Sequence, residues 1–162
     1  MDLYIFRHGE TYFSKRKIPY GSQVESAKIL PEAIPVIVRL ADFLQGINTD
    51  ANFTSPFIRC IQTTKIVEKV TKKKHKVDNN LRDWNPETET VEDMINRLKI
   101  FYSQLKTTNF SAVSICTHGY PINTLIALET KGQASPSDLQ NFPETGVLVI
   151  IKDKKVKYKD FK

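Results

Sequence analysis

Two histidines of this chain lie in nearly the same sequence context, and both are placed for chemistry. Arg7–Thr11 reads Arg-His-Gly-Glu-Thr and follows the apolar run Leu3–Phe6, while Thr117–Gly119 reads Thr-His-Gly and follows the apolar run Val113–Cys116. The chain has only three histidines, so this pattern accounts for two of them. Histidine can act as a nucleophile or transfer a proton near neutral pH. The sequence therefore predicts a site that contains two histidines.

Further candidates for this site also follow short apolar segments. Ser55 and Arg59 come after the segment Ala51–Thr54, and Asp83 lies in a later loop. The planar fork of arginine suits phosphate and carboxylate oxygens, so Arg7 and Arg59 together indicate an anion with at least three oxygens. A carboxylic acid such as Asp83 can protonate a leaving oxygen. These residue types predict phosphoryl transfer through a phosphohistidine.

The candidates can meet only if several strand ends lie side by side. Strands and helices alternate along the chain, which predicts a single α/β domain with a mostly parallel central sheet between two helix layers, a three-layer αβα sandwich. In such sheets ligands bind at the carboxyl ends of the strands, where both His-Gly pairs lie. The predicted strands cover residues 3–6, 51–54, 75–77, 113–116, 147–151 and 155–158, and the predicted helices cover 31–46, 56–67, 91–105 and 121–128.

The length and composition of the chain indicate an ordinary globular protein. Its 162 residues are most simply one domain over residues 1–162. No apolar run approaches the roughly 20 residues that span a bilayer, and the N-terminus has no signal-peptide layout. Cys60 and Cys116 match no metal-ligand spacing and are predicted to be free thiols in a reducing compartment. We therefore expect a cytoplasmic protein with no membrane partner.

The net charge of +6 arises partly from two lysine clusters, at residues 72–76 and 152–162. Neither cluster carries interleaved aromatic residues or a nucleic-acid motif, so we expect solvated surface and no nucleic-acid partner. His75 lies within the first cluster and is expected to be exposed. A positive surface would still attract an anionic substrate.

The sequence resembles the histidine phosphatase superfamily, which contains cofactor-dependent phosphoglycerate mutases and many small phosphatases. The resemblance spans essentially the whole chain, in the family's order, and implies a phosphoglycerate mutase-like fold. It depends on Arg7–Thr11, on Thr54–Arg59 with Gln62-Thr63, on Leu81–Asp83 and on Thr117–Gly119.

The resemblance also implies a role for each candidate residue. His8 would be the nucleophile that accepts the phosphoryl group, and Arg7, Arg59 and His118 would hold the phosphate oxygens. Asp83 would donate a proton to the leaving alcohol and then activate the attacking water. No metal and no cofactor is required.

The chain departs from the family pattern at three places. Asp83 occupies the position where members usually have glutamate, and Glu10 is the alternative proton donor. Ser14 replaces an asparagine that many members place three residues after the threonine, so Ser14 is the candidate for that phosphate contact. Ala33 and Ile34 lie where a glycine is usual.

The predicted function is hydrolysis of small phosphomonoesters by a histidine acid-type phosphatase, a phosphoric monoester hydrolase. Mutase activity is disfavoured because the stretch between Arg59 and His118 has room for little beyond one main helix. Two alternatives stay open: a protein phosphohistidine phosphatase, and a phosphoanion-binding module with weak catalysis. Tyr120 is the first candidate to line the substrate pocket, and Trp84 and Tyr20 are further ones. The physiological substrate and the oligomeric state are left open.

Overall fold

One six-stranded sheet organises the molecule. The computed structural model describes all residues from 1 to 162. Its strands follow the order β3-β2-β4-β1-β5-β6, and only β5 runs against its neighbours. The sheet is therefore mostly parallel, as the sequence predicts. The strands are β1 (Asp2–Arg7), β2 (Ala51–Thr54), β3 (Lys76–Val77), β4 (Ala112–Thr117), β5 (Val147–Lys152) and β6 (Lys155–Asp160).

Helices cover both faces of this sheet. They are α1 (Tyr12–Arg16), α2 (Ala33–Gln45), α3 (Ile58–Thr71), α4 (Val91–Lys106) and α5 (Gly119–Lys131). Alternate residues of β1 enter different cores: Leu3 and Ile5 pack with α4 and α5, whereas Tyr4 and Phe6 pack with α2 and α3. The result is the predicted single-domain α/β fold. None of the helices combines the length and hydropathy needed to cross a membrane.

The structure differs from the sequence-based prediction at four helix starts. Helix α2 begins at Ala33, two residues later than predicted. Helix α1 was not predicted, and it forms because the side chains of Thr11 and Ser14 cap each other's backbone N–H groups. Helix α5 begins at Gly119, two residues earlier than predicted, with His118 as its N-cap residue. Helix α3 begins only at Ile58, because the chain is still extended at Phe57.

The expectation that His75 is exposed is wrong. Its side chain is 1% exposed, and its ring meets the ring of Phe6 edge-on at a centroid distance of 6.4 Å. Glu68 holds the segment, because its carboxylate accepts the backbone N–H of His75 at 2.7 Å. Lys74 and Lys76 on either side remain exposed while the imidazole turns inward. Burial lowers the pKa of His75 to about 4.

His75 should make the stability of the protein depend on pH. Because its folded-state pKa is below the ordinary value of 6.5, only the unfolded chain gains this proton between pH 6.5 and 4. The contribution of His75 to the free energy of unfolding is therefore present above pH 6.5 and is lost as the pH falls toward 4. Between pH 7 and pH 5 the free energy of unfolding should fall by about 2 kcal/mol more in the wild type than in His75→Leu. Urea unfolding of both proteins at both pH values measures this difference, and equal pH dependence would contradict it.

Candidate active site

The two His-Gly pairs follow adjoining strands. β1 and β4 are parallel neighbours with Arg7 opposite Thr117, and the backbone N–H of His8 donates to the Thr117 carbonyl at 3.1 Å. His8 and His118 are both fully buried, and their ring centroids are 5.3 Å apart. The structure therefore brings the two histidines together at the carboxyl edge of the sheet.

The tautomer of His8 follows from its one hydrogen bond. Nδ1 lies 2.8 Å from the carbonyl oxygen of Gly9, and a carbonyl only accepts, so Nδ1 carries the proton. Nε2 is then the nitrogen with a free lone pair, and it is buried without a hydrogen-bond partner. Burial and the nearby guanidinium groups of Arg59 and Arg7 lower the pKa of His8 well below its ordinary value. The imidazole is therefore neutral at pH 7 and nucleophilic at Nε2.

The backbone after His8 is fixed by helices α2 and α3. Gly9 donates its N–H to Oγ1 of Thr63 at 2.8 Å, and that hydroxyl donates to the Arg59 carbonyl at 2.7 Å. A Cβ atom on Gly9 would lie 2.6 Å from Cδ1 of Ile37, so α2 can pack this close only against glycine. These contacts explain why a glycine and a threonine occupy these positions of the two motifs.

Arg59, the second residue of α3, is a fully buried cation. Nη1 donates to the carbonyl oxygen of Val24, and Nη2 donates to Oδ2 of Asp83 at 2.9 Å. The guanidinium carbon lies 4.1 Å from the centroid of the Tyr20 ring. A buried charge is tolerated only with such partners.

Four buried nitrogens at this edge have no hydrogen-bond partner: Nε of Arg7, Nε of Arg59, Nε2 of His8 and Nδ1 of His118. Arg7 makes only a 3.4 Å contact from Nη1 to the carbonyl of Pro143. Leaving a buried polar group unpaired costs about 1–3 kcal/mol, so such groups are rare in folded proteins. Three of them, the two guanidinium nitrogens and Nδ1 of His118, can donate to an anionic ligand with several oxygens, whereas Nε2 of His8 offers a lone pair.

His118 links the phosphate-binding candidates to Asp83. Its Nε2 lies 2.7 Å from Oγ of Ser55, and its Nδ1 lies 3.6 Å from Oδ2 of Asp83. Burial, Arg59 and His8 lower the pKa of His118 well below its ordinary value. Ser55 is therefore occupied by this histidine, and only secondarily accepts the Phe57 N–H at 3.3 Å.

Asp83 is a buried carboxyl group whose environment raises its pKa. Its side chain is 14% exposed, Oδ1 accepts the backbone N–H of Trp84 at 3.0 Å, and Oδ2 accepts from Arg59. Burial raises the pKa of Asp83, although Arg59 and Arg7 oppose the shift. A carboxyl group with a raised pKa is suited to proton donation.

The two remaining candidates are placed differently. Glu10 does not line the main cavity; it lines a small neighbouring one of about 50 Å³ together with Glu32 and Lys162. Ser14 does line the main cavity, but its hydroxyl accepts the Thr11 N–H at 2.8 Å within the α1 cap. The structure thus gathers Arg7, His8, Arg59, His118 and Asp83, whereas Glu10 shares only the small cavity with Arg7.

The main cavity reaches two of the catalytic candidates, Arg7 and Asp83, from outside. Its volume is about 780 Å³, and Arg7, Asp83 and Gly119 are among its lining residues. A phosphate group fills only a small part of such a volume, so the cavity has room for the rest of a substrate. No group of three or more His, Cys, Asp or Glu side chains is arranged to hold a metal ion.

Sequence reasoning did not identify Arg97, which holds the loop that carries Asp83. This buried arginine of α4 donates to the carbonyl oxygens of Asn80, Arg82 and Asp83 at 2.6, 2.8 and 3.0 Å. Its charge is balanced by the Glu89 carboxylate, which accepts from Nε at 3.0 Å. One side chain therefore holds three carbonyl groups within residues 80–83 of the loop.

Replacing Arg97 by lysine should loosen this loop. A lysine keeps the charge but lacks the planar fork, so it cannot serve all of these acceptors. Amide hydrogens of residues 80–89 should exchange about tenfold faster or more, while those of β1 are unchanged. Hydrogen exchange read by mass spectrometry measures this. Arg82→Lys is the matched control, because the exposed Arg82 guanidinium donates only to the Asn79 carbonyl and lies 3.8 Å from the Glu89 carboxylate, a pairing that lysine can keep. Equal exchange in the two variants would contradict the assignment.

Comparison with known proteins places these observations in a family. A family model described as the histidine phosphatase superfamily (branch 1) matches residues 3–88, which is more than half of the chain. The match includes His8, Arg59 and Asp83, and His118 lies beyond it. No curated protein sequence matches the chain.

Solved structures of proteins named for different activities share the fold. An alpha-ribazole phosphatase from Shigella flexneri is 17% identical, with a TM-score of 0.79 over 99% of this chain and 96% of its own. A phosphoglycerate mutase from Bacillus anthracis strain Sterne is 18% identical, with a TM-score of 0.71 over 99% and 92%. The protein histidine phosphatase SixA, complexed with tungstate, is 17% identical, with a TM-score of 0.68 over 98% and 94%. At these identities the likeness establishes the fold alone.

Proposed function

The chain belongs to the histidine phosphatase superfamily, and we propose that it is a metal-independent phosphatase that hydrolyses phosphomonoesters through a phosphohistidine on His8. The observation that carries the proposal is the state of His8: its Nε2 is unprotonated and buried beside the unpaired N–H groups of Arg7 and Arg59. Relatives of the same fold include an alpha-ribazole phosphatase and the phosphatase SixA, which supports phosphatase chemistry.

In the first step, Nε2 of His8 attacks phosphorus and the bond from phosphorus to the leaving oxygen breaks. Asp83 transfers its proton to that oxygen, so the alcohol leaves neutral. Arg7, Arg59 and His118 hold the three other oxygens and stabilise the charge that develops on them. The Nδ1–H bond to Gly9 persists and stabilises the imidazolium of the phosphohistidine.

In the second step, water attacks the phosphohistidine and the phosphorus–nitrogen bond breaks. The Asp83 carboxylate accepts the proton of the water, and His8 returns to its neutral tautomer. Inorganic phosphate then leaves.

The ion pair between Arg59 and Asp83 links substrate binding to the protonation of Asp83. A phosphate dianion competes with the Asp83 carboxylate for the donors of Arg59, which are now 2.9 Å from Oδ2. Once the dianion occupies Arg59, its negative charge raises the pKa of Asp83 further. Substrate binding therefore loads the acid with the proton that the first step needs.

We propose hydrolysis over mutase activity, because α4 is the only α-helix added between the end of α3 and β4 in the stretch from Arg59 to His118. A protein phosphohistidine phosphatase is the second candidate, since SixA shares the fold. A phosphoanion-binding module with weak catalysis is the third. We propose a small phosphorylated substrate and no nucleic-acid or membrane partner.

The cytoplasm is the proposed compartment. Cys60 and Cys116 are both buried free thiols, which is typical of proteins from reducing compartments.

Hydrolysis of para-nitrophenyl phosphate in EDTA tests the proposal. Wild-type protein should turn over with the chelator present, because arginine side chains supply the positive charge that a metal would otherwise supply. His8→Ala should lose roughly a thousandfold or more, since it removes the nucleophile. Undiminished turnover by His8→Ala, or loss of wild-type activity on chelation, would refute the mechanism.

The proton donor is tested with paired variants and two substrates. Asp83→Asn should lower the hydrolysis of glycerol phosphate by about 10²–10⁴, because an alkoxide leaves poorly without a proton. Hydrolysis of a phosphohistidine peptide should fall much less, since a phosphoramidate needs less help from an acid. Glu10→Gln should leave both activities near the wild-type level. The reverse result, with Glu10→Gln inactive on the ester and Asp83→Asn active, would make Glu10 the donor.

A further inference from the structure

The main cavity is walled by aromatic side chains to an extent that phosphate binding does not explain. Five of its lining residues are aromatic: Phe13, Tyr20, Trp84, Tyr120 and Phe142. We propose that this cavity binds a planar aromatic leaving group, so that the preferred substrates are phosphomonoesters whose alcohol carries an aromatic ring. The inference rests on the proposed phosphatase function and names the substrate class of the same site.

Three of the aromatic residues form one continuous wall. Trp84 and Tyr120 meet edge-to-face at a centroid distance of 5.6 Å, and Tyr120 and Phe142 meet edge-to-face at 5.1 Å. Gly119 makes the wall possible, because a Cβ atom there would lie 2.4 Å from the Phe142 ring. The loop after β3, the start of α5 and the loop before β5 thus converge to place three rings on one cavity.

The second wall consists of Phe13 and Tyr20, with ring centroids 4.9 Å apart. The hydroxyl of Tyr20 lies 2.9 Å from Oγ1 of Thr11, so this ring is fixed from the α1 side. Each wall also contacts one of the phosphate-binding arginines.

The contacts with the arginines place the two walls next to the phosphate. The guanidinium carbon of Arg59 lies 4.1 Å from the Tyr20 ring, and that of Arg7 lies 4.9 Å from the Phe142 ring. A phosphoryl group held by both arginines therefore lies beside the first wall at Arg7 and beside the second wall at Arg59. Its ester oxygen then points into the cavity between the two walls. Aromatic rings prefer to meet other rings in offset or edge-to-face geometry, which a flat leaving group satisfies and a puckered saturated ring does not.

The charges of the cavity exclude a strongly anionic leaving group. Apart from Arg7, its only cationic lining residue is Lys17, which forms an ion pair with Glu144 at 3.5 Å. Glu87 and Asp83 add negative charge. The volume of about 780 Å³ lies in the range of sites that enclose small organic molecules. The leaving group is therefore an aromatic group that is neutral or cationic and larger than a single hydroxymethyl unit.

The first test compares two ligands on the unaltered protein. Benzylphosphonate and cyclohexylmethylphosphonate have the same length and similar acidity, and neither is hydrolysed. Isothermal titration calorimetry should give benzylphosphonate about tenfold tighter binding, the gain from roughly one to two ring contacts. Equal affinities, or tighter binding of the saturated ligand, would overturn the inference.

A matched pair of variants tests whether the first wall causes the preference for benzylphosphonate. Tyr120→Leu removes the central ring of the first wall and breaks no side-chain hydrogen bond, whereas Tyr158→Leu makes the same change at an exposed residue of β6. The tenfold preference should fall to within about twofold in Tyr120→Leu and persist in Tyr158→Leu. The affinity for inorganic phosphate, measured by the same calorimetry, should be equal in all three proteins. Equal affinity would show that Tyr120→Leu is folded. A preference that survives in Tyr120→Leu would overturn the assignment to this wall.

Turnover separates this inference from the function on which it rests. Benzyl phosphate and cyclohexylmethyl phosphate release alcohols of similar acidity, so their kcat/KM values should differ by the same factor as the phosphonate affinities. Hydrolysis of both esters at equal rates would overturn the inference and leave the phosphatase function intact. Selective binding of benzylphosphonate with no hydrolysis of either ester would support the aromatic site and refute the phosphatase function.

Discussion

The burial of one permanent positive charge, the guanidinium of Arg59, determines the chemistry of the site. A fully buried cation requires hydrogen-bond acceptors and a counter-charge, and Arg59 finds them in the Val24 carbonyl and the Asp83 carboxylate. Burial and then this same charge lower the pKa of His8 and His118, which keeps both imidazoles neutral. The proposed nucleophile, acid and anion site thus all interact with this one charge. Without the partner carboxylate, the buried charge would be uncompensated whenever no substrate is bound.

The fold brings these groups together through the order of its strands. β4 lies between β1 and β2, although the three strands are far apart in the sequence. The residues that follow these strands therefore meet at one edge of the sheet. The hydrogen bond from Gly9 to Thr63 joins the end of β1 to α3, and the hydroxyl of Thr117 donates to the Leu81 carbonyl at 2.6 Å, which joins β4 to the Asp83 loop. Because these links involve backbone groups, the strands determine the positions of the candidate side chains.

Much of this arrangement is predictable from the sequence, and the exceptions have physical reasons. Apolar strand runs that end in Arg-His-Gly and Thr-His-Gly predict the parallel sheet and the pairing of the histidines, because strand ends are local signals. Arg97 was missed because its partners are backbone carbonyls 14 to 17 residues earlier, and a carbonyl has no residue-type signal. The signal that was available is a charged residue on the face of α4 that carries Met94 and Leu98. His75 was placed wrongly because its lysine neighbours set the local charge pattern but not the direction of its own ring.

The most direct test of the central claim is to identify the residue that carries the phosphoryl group during turnover. Asp83→Asn reacted with para-nitrophenyl phosphate should accumulate the intermediate, because the good leaving group needs little acid while the water lacks its base. Rapid quenching in alkali, followed by peptide mass spectrometry, should place a phosphoryl group on His8, stable in alkali and lost in acid. A phosphoryl group on any other residue, or a full burst of para-nitrophenol with an unmodified His8 peptide, would contradict the account.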